Sequence, residues 1–276
     1  MSFSDALQLL RGPSRAKVET QFRNQTRYWY LGGNTAMCHV LGDQRMYLDT
    51  TDYALAPHLI RDGFWEIWIT QAMARILQPG MTCVDVGANV GYYTLLMANV
   101  AGPEGHVVAL EPNPRIAELL RQTLYVNGLE CNVTLDIRAA SSDSGRPILF
   151  TIPKGRPMNA AIGDEALPGD QIIETQTIRL DKILPAKVDF IKIDVEGAEQ
   201  QVWQGLQKTL DDNQSIKIFL EFNSRRYPET AASFIKQIVD QGFRLAYVDT
   251  NSALVACSAN YVLSQGNNDV ILYLER

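Results

Sequence analysis

The chain has 276 residues, 46% hydrophobic and 20% charged, enough to bury an ordinary core in one large domain or two small ones. Its net charge of −6 and the lack of a long basic run argue against a nucleic-acid partner, which calls for a positive footprint. No segment offers the roughly 18 uninterrupted apolar residues of a membrane span, and the opening MSFSDALQLLRGPSR lacks the apolar core of a signal peptide, so the expected location is the cytoplasm. Cys38, Cys83, Cys131 and Cys257 stand without CxxC spacing and read as reduced packing residues.

Residues 1–60 read as an accessory helix and hairpin segment ahead of a main domain over 61–276. The runs TAMCHVLG and QRMYLD predict a hairpin about Gly42-Asp43. GFWEIWITQAMARILQPG then carries Trp65, Trp68, Ile69, Ala72, Met73, Ile76 and Leu77 at helical spacing, and the helix should stop at Pro79-Gly80.

From residue 81 strands and helices alternate, which predicts a parallel sheet with crossover helices. Strands are expected over 82–87, 106–111, 133–138, 188–194 and 215–222. Helices are expected over 114–127, opened by Asn113-Pro114, over 198–212, and over 228–241, with Phe234, Ile235, Ile238 and Val239 on one face. Residues 147–180 read as a β excursion with a flexible middle instead of a helix. After the sixth strand, RLAYVD, the chain should return through SALVACS to VILYLER as an antiparallel strand, because that connection shows no helix signal.

The stretch CVDVGANVGYYT is a strand that breaks into glycines and opens a helix, so it offers free backbone N–H groups to a nucleotide-like ligand. A dinucleotide loop of the G-x-G-x-x-G type is poorly matched: Asn89 stands at the middle glycine position and the third glycine is missing. Asp85 before the loop suits a cation, and Glu111 at the end of the second strand suits ribose hydroxyls. A sulfonium cofactor fits that polarity better than a dinucleotide.

These residues carry a family resemblance. VDVGANVGYYT, VVALEPNP and VDFIKIDVEGAEQQVWQGL, in that order, are similar to the FkbM family of class I S-adenosylmethionine-dependent methyltransferases, with WE, TIRLD and LEFN at 65–66, 177–181 and 220–223 in support. The resemblance implies a Rossmann-like α/β fold with helices on both faces of a seven-stranded, mostly parallel sheet of order 3-2-1-4-5-7-6, strand 7 antiparallel. It also implies methyl transfer to a hydroxyl of a sugar, polyketide or similar small molecule. Carried over by position, Asp85, Gly87, Asn89 and Gly91 form the donor loop, Glu111 holds the ribose, and Pro112-Asn113 flank the adenine. Ala140 and Ser141, with Ser142 and then Asp143, close its far side. Gly91 serves equally for helix packing and Asn113 equally as a helix cap.

Strict alternation in DFIKIDVEG places Lys192 and Asp194 on one strand face, and in KIFLEFN it groups Glu221 with Asn223. If the two strands are neighbours, these groups converge at one carboxyl edge, where ligands of open α/β sheets bind. Lys192 needs a buried partner, with Glu221 or Asp194 expected. Asp194 is counted with the donor residues and is also the first candidate to orient the acceptor or take its proton, with Lys192, Glu196 and Glu221 as further candidates. Asp194, Glu221 and Asn223 also suit a divalent ion as oxygen ligands, although a reading without metal is favoured. His39, His58 and His106 read as surface or packing residues. The acceptor's walls are expected at residues 154–159, at the turn Asn223–Tyr227, where Arg225 and Arg226 could clamp an anion, and at Trp65. The rival readings are an NAD-linked oxidoreductase and a methyltransferase-like binding module without turnover.

Overall fold

The computed structural model describes residues 1–156, 160–163, 166–266 and 268–276. Two helices open the chain, α1 (Phe3–Arg11) and α2 (Arg15–Gln25), each started by a serine hydroxyl that accepts a first-turn backbone N–H. Strands β1 (Tyr28–Gly32), β2 (Thr35–Val40) and β3 (Gln44–Asp49) form a three-stranded antiparallel sheet. The hairpin expected about Gly42-Asp43 joins β2 to β3, with Val40 opposite Gln44. Strand β1 was not expected; its residues Tyr28 to Leu31 are all exposed, so it lacks the alternation that marks a half-buried strand.

After α3 (Ala56–Asp62), the helix expected over the tryptophan-rich run begins late. Helix α4 spans Ile67–Ile76; Trp65 precedes it, and Glu66 caps it in a left-handed conformation. The central sheet then builds as β4 (Thr82–Val86), α5 (Tyr92–Ala101), β5 (His106–Leu110), α6 (Pro114–Val126) and β6 (Val133–Asp136). The β excursion is present as β7 (Ala139–Ala140), β8 (Pro147–Ile152), β9 (Ala161–Ile162) and β10 (Gln171–Ile178), a separate four-stranded sheet. The chain continues through β11 (Phe190–Ile193), α7 (Glu199–Gly205), α8 (Gln207–Asp212), β12 (Lys217–Phe222), α9 (Ala231–Asp240), β13 (Arg244–Val248), β14 (Leu254–Ala256), α10 (Ala259–Ser264) and β15 (Val270–Glu275).

The order β6-β5-β4-β11-β12-β15-β13 is the expected 3-2-1-4-5-7-6, and β15 pairs antiparallel with both neighbours. Three details differ. Strand β14 adds an eighth strand at the edge, the return to β15 contains the short helix α10, and the helix expected over 198–212 is two helices meeting at Leu206. Val239 is 43% exposed, outside the apolar face assigned to it.

One face of the sheet packs Cys83, Val107, Phe190 and Phe219 against α4, α5, α6 and the N-terminal helices. The other packs Val84, Val108, Ile191 and Ile218 against α7, α9 and their neighbours. Leu10, Val18 and Phe22 of the first two helices share the first layer with Met73 and Leu96. All four cysteines are free thiols; Cys38 and Cys83 are buried, whereas Cys131 is exposed. No helix among the described residues is long and apolar enough to cross a membrane.

Candidate active site

Strand β11 lies between β4 and β12, all parallel, and the register sets Lys192 opposite Asp85 on one side and Phe219 on the other. Their side chains point to the face of α4 and α5. Lys192 Nζ lies 3.1 Å from Asp194 Oδ2 and 3.6 Å from Asp85 Oδ1, and sits over the Tyr93 ring at 5.2 Å. The expectation of a buried ion pair with Asp194 holds, and Asp85 is a second partner that alternation within one strand does not reveal. Burial opposes the charge on Lys192, but the two aspartates outweigh it and hold its pKa above the usual lysine range. Asp85 has no exposed surface; its Oδ2 accepts from Thr94 Oγ1 at 2.6 Å.

At the carboxyl edge a cavity of about 380 Å³ opens. Of the residues assigned to the donor, Gly87, Asn89, Glu111, Pro112, Ala140 and Asp194 line it. Asp85, Gly91, Asn113 and Ser141 do not line it, each for a definite reason. Asp85 is occupied by Lys192 and Thr94. Gly91 starts α5 at φ 94°, and a Cβ there would fall 2.3 Å from Leu120 Cδ1, so close packing requires it. Asn113 caps α6, its Oδ1 accepting from Arg115 N at 3.1 Å. Ser141 is buried and its N–H donates to the Ile178 carbonyl; beyond it, Asp143 pairs with Arg146 at 2.8 Å.

Glu111 organises the loop. Its two carboxylate oxygens accept from Asn89 N at 2.9 Å and Asn113 N at 2.8 Å, which leaves a lone pair on each oxygen for neighbouring hydroxyls in the cavity. Burial pushes its pKa up to about 7. Asn89 adopts φ 53°, a left-handed conformation that asparagine tolerates better than most residues, and its Oδ1 accepts from Val90 N. Six described non-glycine residues have positive φ, and three of them, Glu66, Asn89 and Glu196, line this one cavity. Half of these described positive-φ residues thus surround the cavity.

All four candidates for the acceptor chemistry, Lys192, Asp194, Glu196 and Glu221, line the cavity, and carboxylate oxygens of the three acids lie within 4.8 Å of one another. Asn223 does not join them: it caps the next turn, accepting from Arg225 N and donating to Asp269 Oδ1. An oxygen-ligand set would therefore use Glu196 in its place, yet Arg226 already supplies counter-charge there, at 2.7 Å from Glu196 and 3.1 Å from Glu221. Arg226 also reaches Asp269 at 3.4 Å, so it ties acids together and is not a clamp for an anionic substrate. Burial and the carboxylates of Asp194, Glu196 and Asp269 push Glu221 up to about 9 even with Arg226 beside it.

Trp65 lines the cavity as expected, its ring edge-on to His58. Of the expected acceptor wall at 154–159, Pro157, Met158 and Asn159 lie outside the described residues, and Arg156 stacks on Tyr53 at 5.8 Å. His39 packs on Trp29 and His106 bonds Thr134, so none of the three histidines reaches the cavity. Glu66, Tyr93, Phe150 and Asp269 also line it and were given no role from sequence. A glutamate between Trp65 and Ile67 at the mouth of an apolar helix was the available signal for the first. Asp269 offers none, since its place depends on how the last strand returns.

Comparison with known proteins agrees with this arrangement. The Methyltransferase FkbM domain profile matches residues 85–245. Protein-L-isoaspartate O-methyltransferase of Hyperthermus butylicus is 30% identical over 116 residues, covering 33% of this chain and 48% of that protein. Methyltransferase sdnD of Sordaria araneosa is 26% identical over 156 residues, 45% of this chain and 60% of its own length. The chain thus spans about half the length of these two relatives. Among solved structures, the provisionally assigned transferase PH0793 of Pyrococcus horikoshii superposes with a TM-score of 0.50 at 14% identity, covering 89% of this chain and 73% of that one, which reflects a shared fold. Because the matched region runs from the strand before the glycine loop into the sixth strand of the order and takes in more than half of the residues, the chain belongs to the FkbM methyltransferase family.

Proposed function

We propose that this chain is an S-adenosylmethionine-dependent methyltransferase that acts on a hydroxyl of a small molecule or glycan in the cytoplasm. The observation that carries the reading is that one cavity joins the Gly87–Asn89 loop and Glu111 to the acidic strand ends at Asp194 and Glu221. The cofactor supplies a methyl group already activated on a sulfonium, so the protein's main task is alignment. Glu111 takes the ribose hydroxyls on its free lone pairs, and Pro112 and Ala140 bound the base. Lys192 holds Asp194 in place, Asp194 accepts the hydrogen bond of the acceptor hydroxyl, and Glu196 and Glu221 share the proton released. This excess of carboxylates suits deprotonation of an alcohol and favours oxygen as the acceptor atom. A relative similar over a third of this chain is named an O-methyltransferase, which is consistent with oxygen as the acceptor atom. Residues 1–60 serve as an accessory layer over the domain of 61–276; their separate sheet supports the division.

Isothermal titration tests the cofactor, and methyl transfer from isotopically labelled cofactor to a panel of sugars and polyketide alcohols tests the acceptor. Micromolar binding that Glu111→Ala weakens is expected. No binding at millimolar cofactor overturns the proposal, and binding without transfer to any alcohol overturns its hydroxyl acceptor.

A further inference from the structure

The preference for a cation was assigned from sequence to Asp85, and the structure commits that carboxylate to Lys192. Six carboxylates do face the cavity: Glu66, Glu111, Asp194, Glu196, Glu221 and Asp269. Asp194 is paired with Lys192 and three others with Arg226. Glu111 is held by two backbone N–H groups. Glu66 differs from all of these. Among the described residues it makes no ion pair, and its side chain's hydrogen-bond partner there is neutral, the Tyr93 hydroxyl donating to Oε2 at 2.9 Å. Its backbone sits at φ 37°, strained for a glutamate, and that conformation turns the carboxylate into the cavity at the start of α4.

The surroundings define what Glu66 lacks. Tyr93 links it to Lys192, whose ammonium lies over the same ring and 3.4 Å from the Gly87 carbonyl oxygen. Glu66, Tyr93, Lys192 and Gly87 therefore form one wall beside the glycine loop. Lys192 is already neutralised by two aspartates, so the charge on Glu66 is left for a ligand to balance. Burial, with Asp194 nearby, pushes the Glu66 pKa up to about 7, in keeping with a carboxylate short of counter-charge.

We infer that Glu66 binds the α-ammonium group at the amino-acid end of the cofactor, placing that end against the Tyr93–Lys192 wall and the nucleoside against Glu111. The inference rests on the proposed cofactor and adds to it a binding residue outside the glycine loop. An ammonium has three N–H donors, and the free Glu66 oxygen and the Gly87 carbonyl are placed to accept two of them.

The test is titration of the full chain with S-adenosylhomocysteine and with 5′-methylthioadenosine, which keeps the nucleoside thioether but has no amino-acid end. Glu66→Gln keeps the shape and the Tyr93 bond while removing the charge. It should weaken S-adenosylhomocysteine by roughly 10- to 100-fold and shift methylthioadenosine by no more than about twofold, since a charge-assisted hydrogen bond is lost in the first case only. Glu66→Gly, which relieves the left-handed strain, should show the same selectivity and guards against a folding defect in the glutamine variant. Equal weakening of both nucleosides, or unchanged affinity for S-adenosylhomocysteine, overturns the inference alone. If the wild-type chain binds neither nucleoside, the cofactor reading falls and this inference with it.

Discussion

Lys192→Met removes the cation from the centre of the sheet and leaves Asp85 with no exposed surface and a single remaining side-chain donor, Thr94. Methionine fills much the same volume, so the cost is electrostatic. Stranding one partner of a buried ion pair costs about 3–5 kcal/mol, and losing the Tyr93 cation–π contact adds up to about 1 kcal/mol. Against a total stability of about 5–15 kcal/mol this is severe yet measurable. Urea unfolding followed by tryptophan fluorescence reads it directly. Asp85→Asn should cost less, because the amide keeps the Thr94 bond and Lys192 keeps Asp194. The double variant should then be more stable than the sum of the singles predicts, by about 2 kcal/mol, because it strands no buried charge at Asp85. The penalty in Lys192→Met should also shrink at low pH. With its cation gone, Asp85 has a folded pKa well above its unfolded one, so stability is present at low pH and lost as pH rises through the folded value. A loss below about 1 kcal/mol in Lys192→Met, or additivity of the two singles within about 0.5 kcal/mol, would refute the claim that this pair holds the sheet centre together.

Gly87→Ala puts a Cβ 1.8 Å from the Asp194 carbonyl oxygen at φ 77°, so it should cost about 2–4 kcal/mol and lower Tm by about 5–10 °C; melting within about 1 °C of wild type would contradict that close approach. Glu111 titrates near 7 in the folded chain, above the ordinary 4.5, so its contribution is full below the unfolded value and lost as pH rises toward 7. Glu111→Gln should accordingly flatten the fall in urea midpoint between about pH 5 and 7, and an unchanged slope would count against its burial as the cause. Methyl transfer should rise with pH as Glu221 loses its proton toward about 9, and Glu221→Gln should remove that rise with a loss of about 10²- to 10⁴-fold in rate. A profile that keeps its alkaline rise in the variant would remove Glu221 from proton handling.

Much of this fold is legible because its signals are short-range. Asn113-Pro114 opens α6 where cap chemistry requires it, and the Gly42 turn joins two alternating runs at the expected place. Strand β1 was hidden because both of its faces are exposed, and β14 because three residues carry no periodicity. At the site, Gly87, Asn89 and Glu111 were readable as a loop and a strand end. Gly91 and Asn113 have the same residue types and neighbouring positions, but packing on Leu120 and capping of α6 claim them.

By itself, then, the amino-acid order determined what repeats within a few residues: the glycine break after β4, the alternation that puts Lys192 and Asp194 on one face, and the strand and helix series, whose wound order came from the family resemblance. Only the tertiary structure decided which charges meet. Asp85 faces Lys192 because β4 and β11 pair in one particular register, and a slip of a single residue would turn one of them to the opposite face. Arg226 is spent on Glu196, Glu221 and Asp269 because a turn, a strand end and the last loop converge there. Glu66 faces the cavity because the backbone before α4 enters left-handed. Charge pairing depends on distances of a few ångströms between segments far apart in the chain, and those distances exist only once the strands are in register.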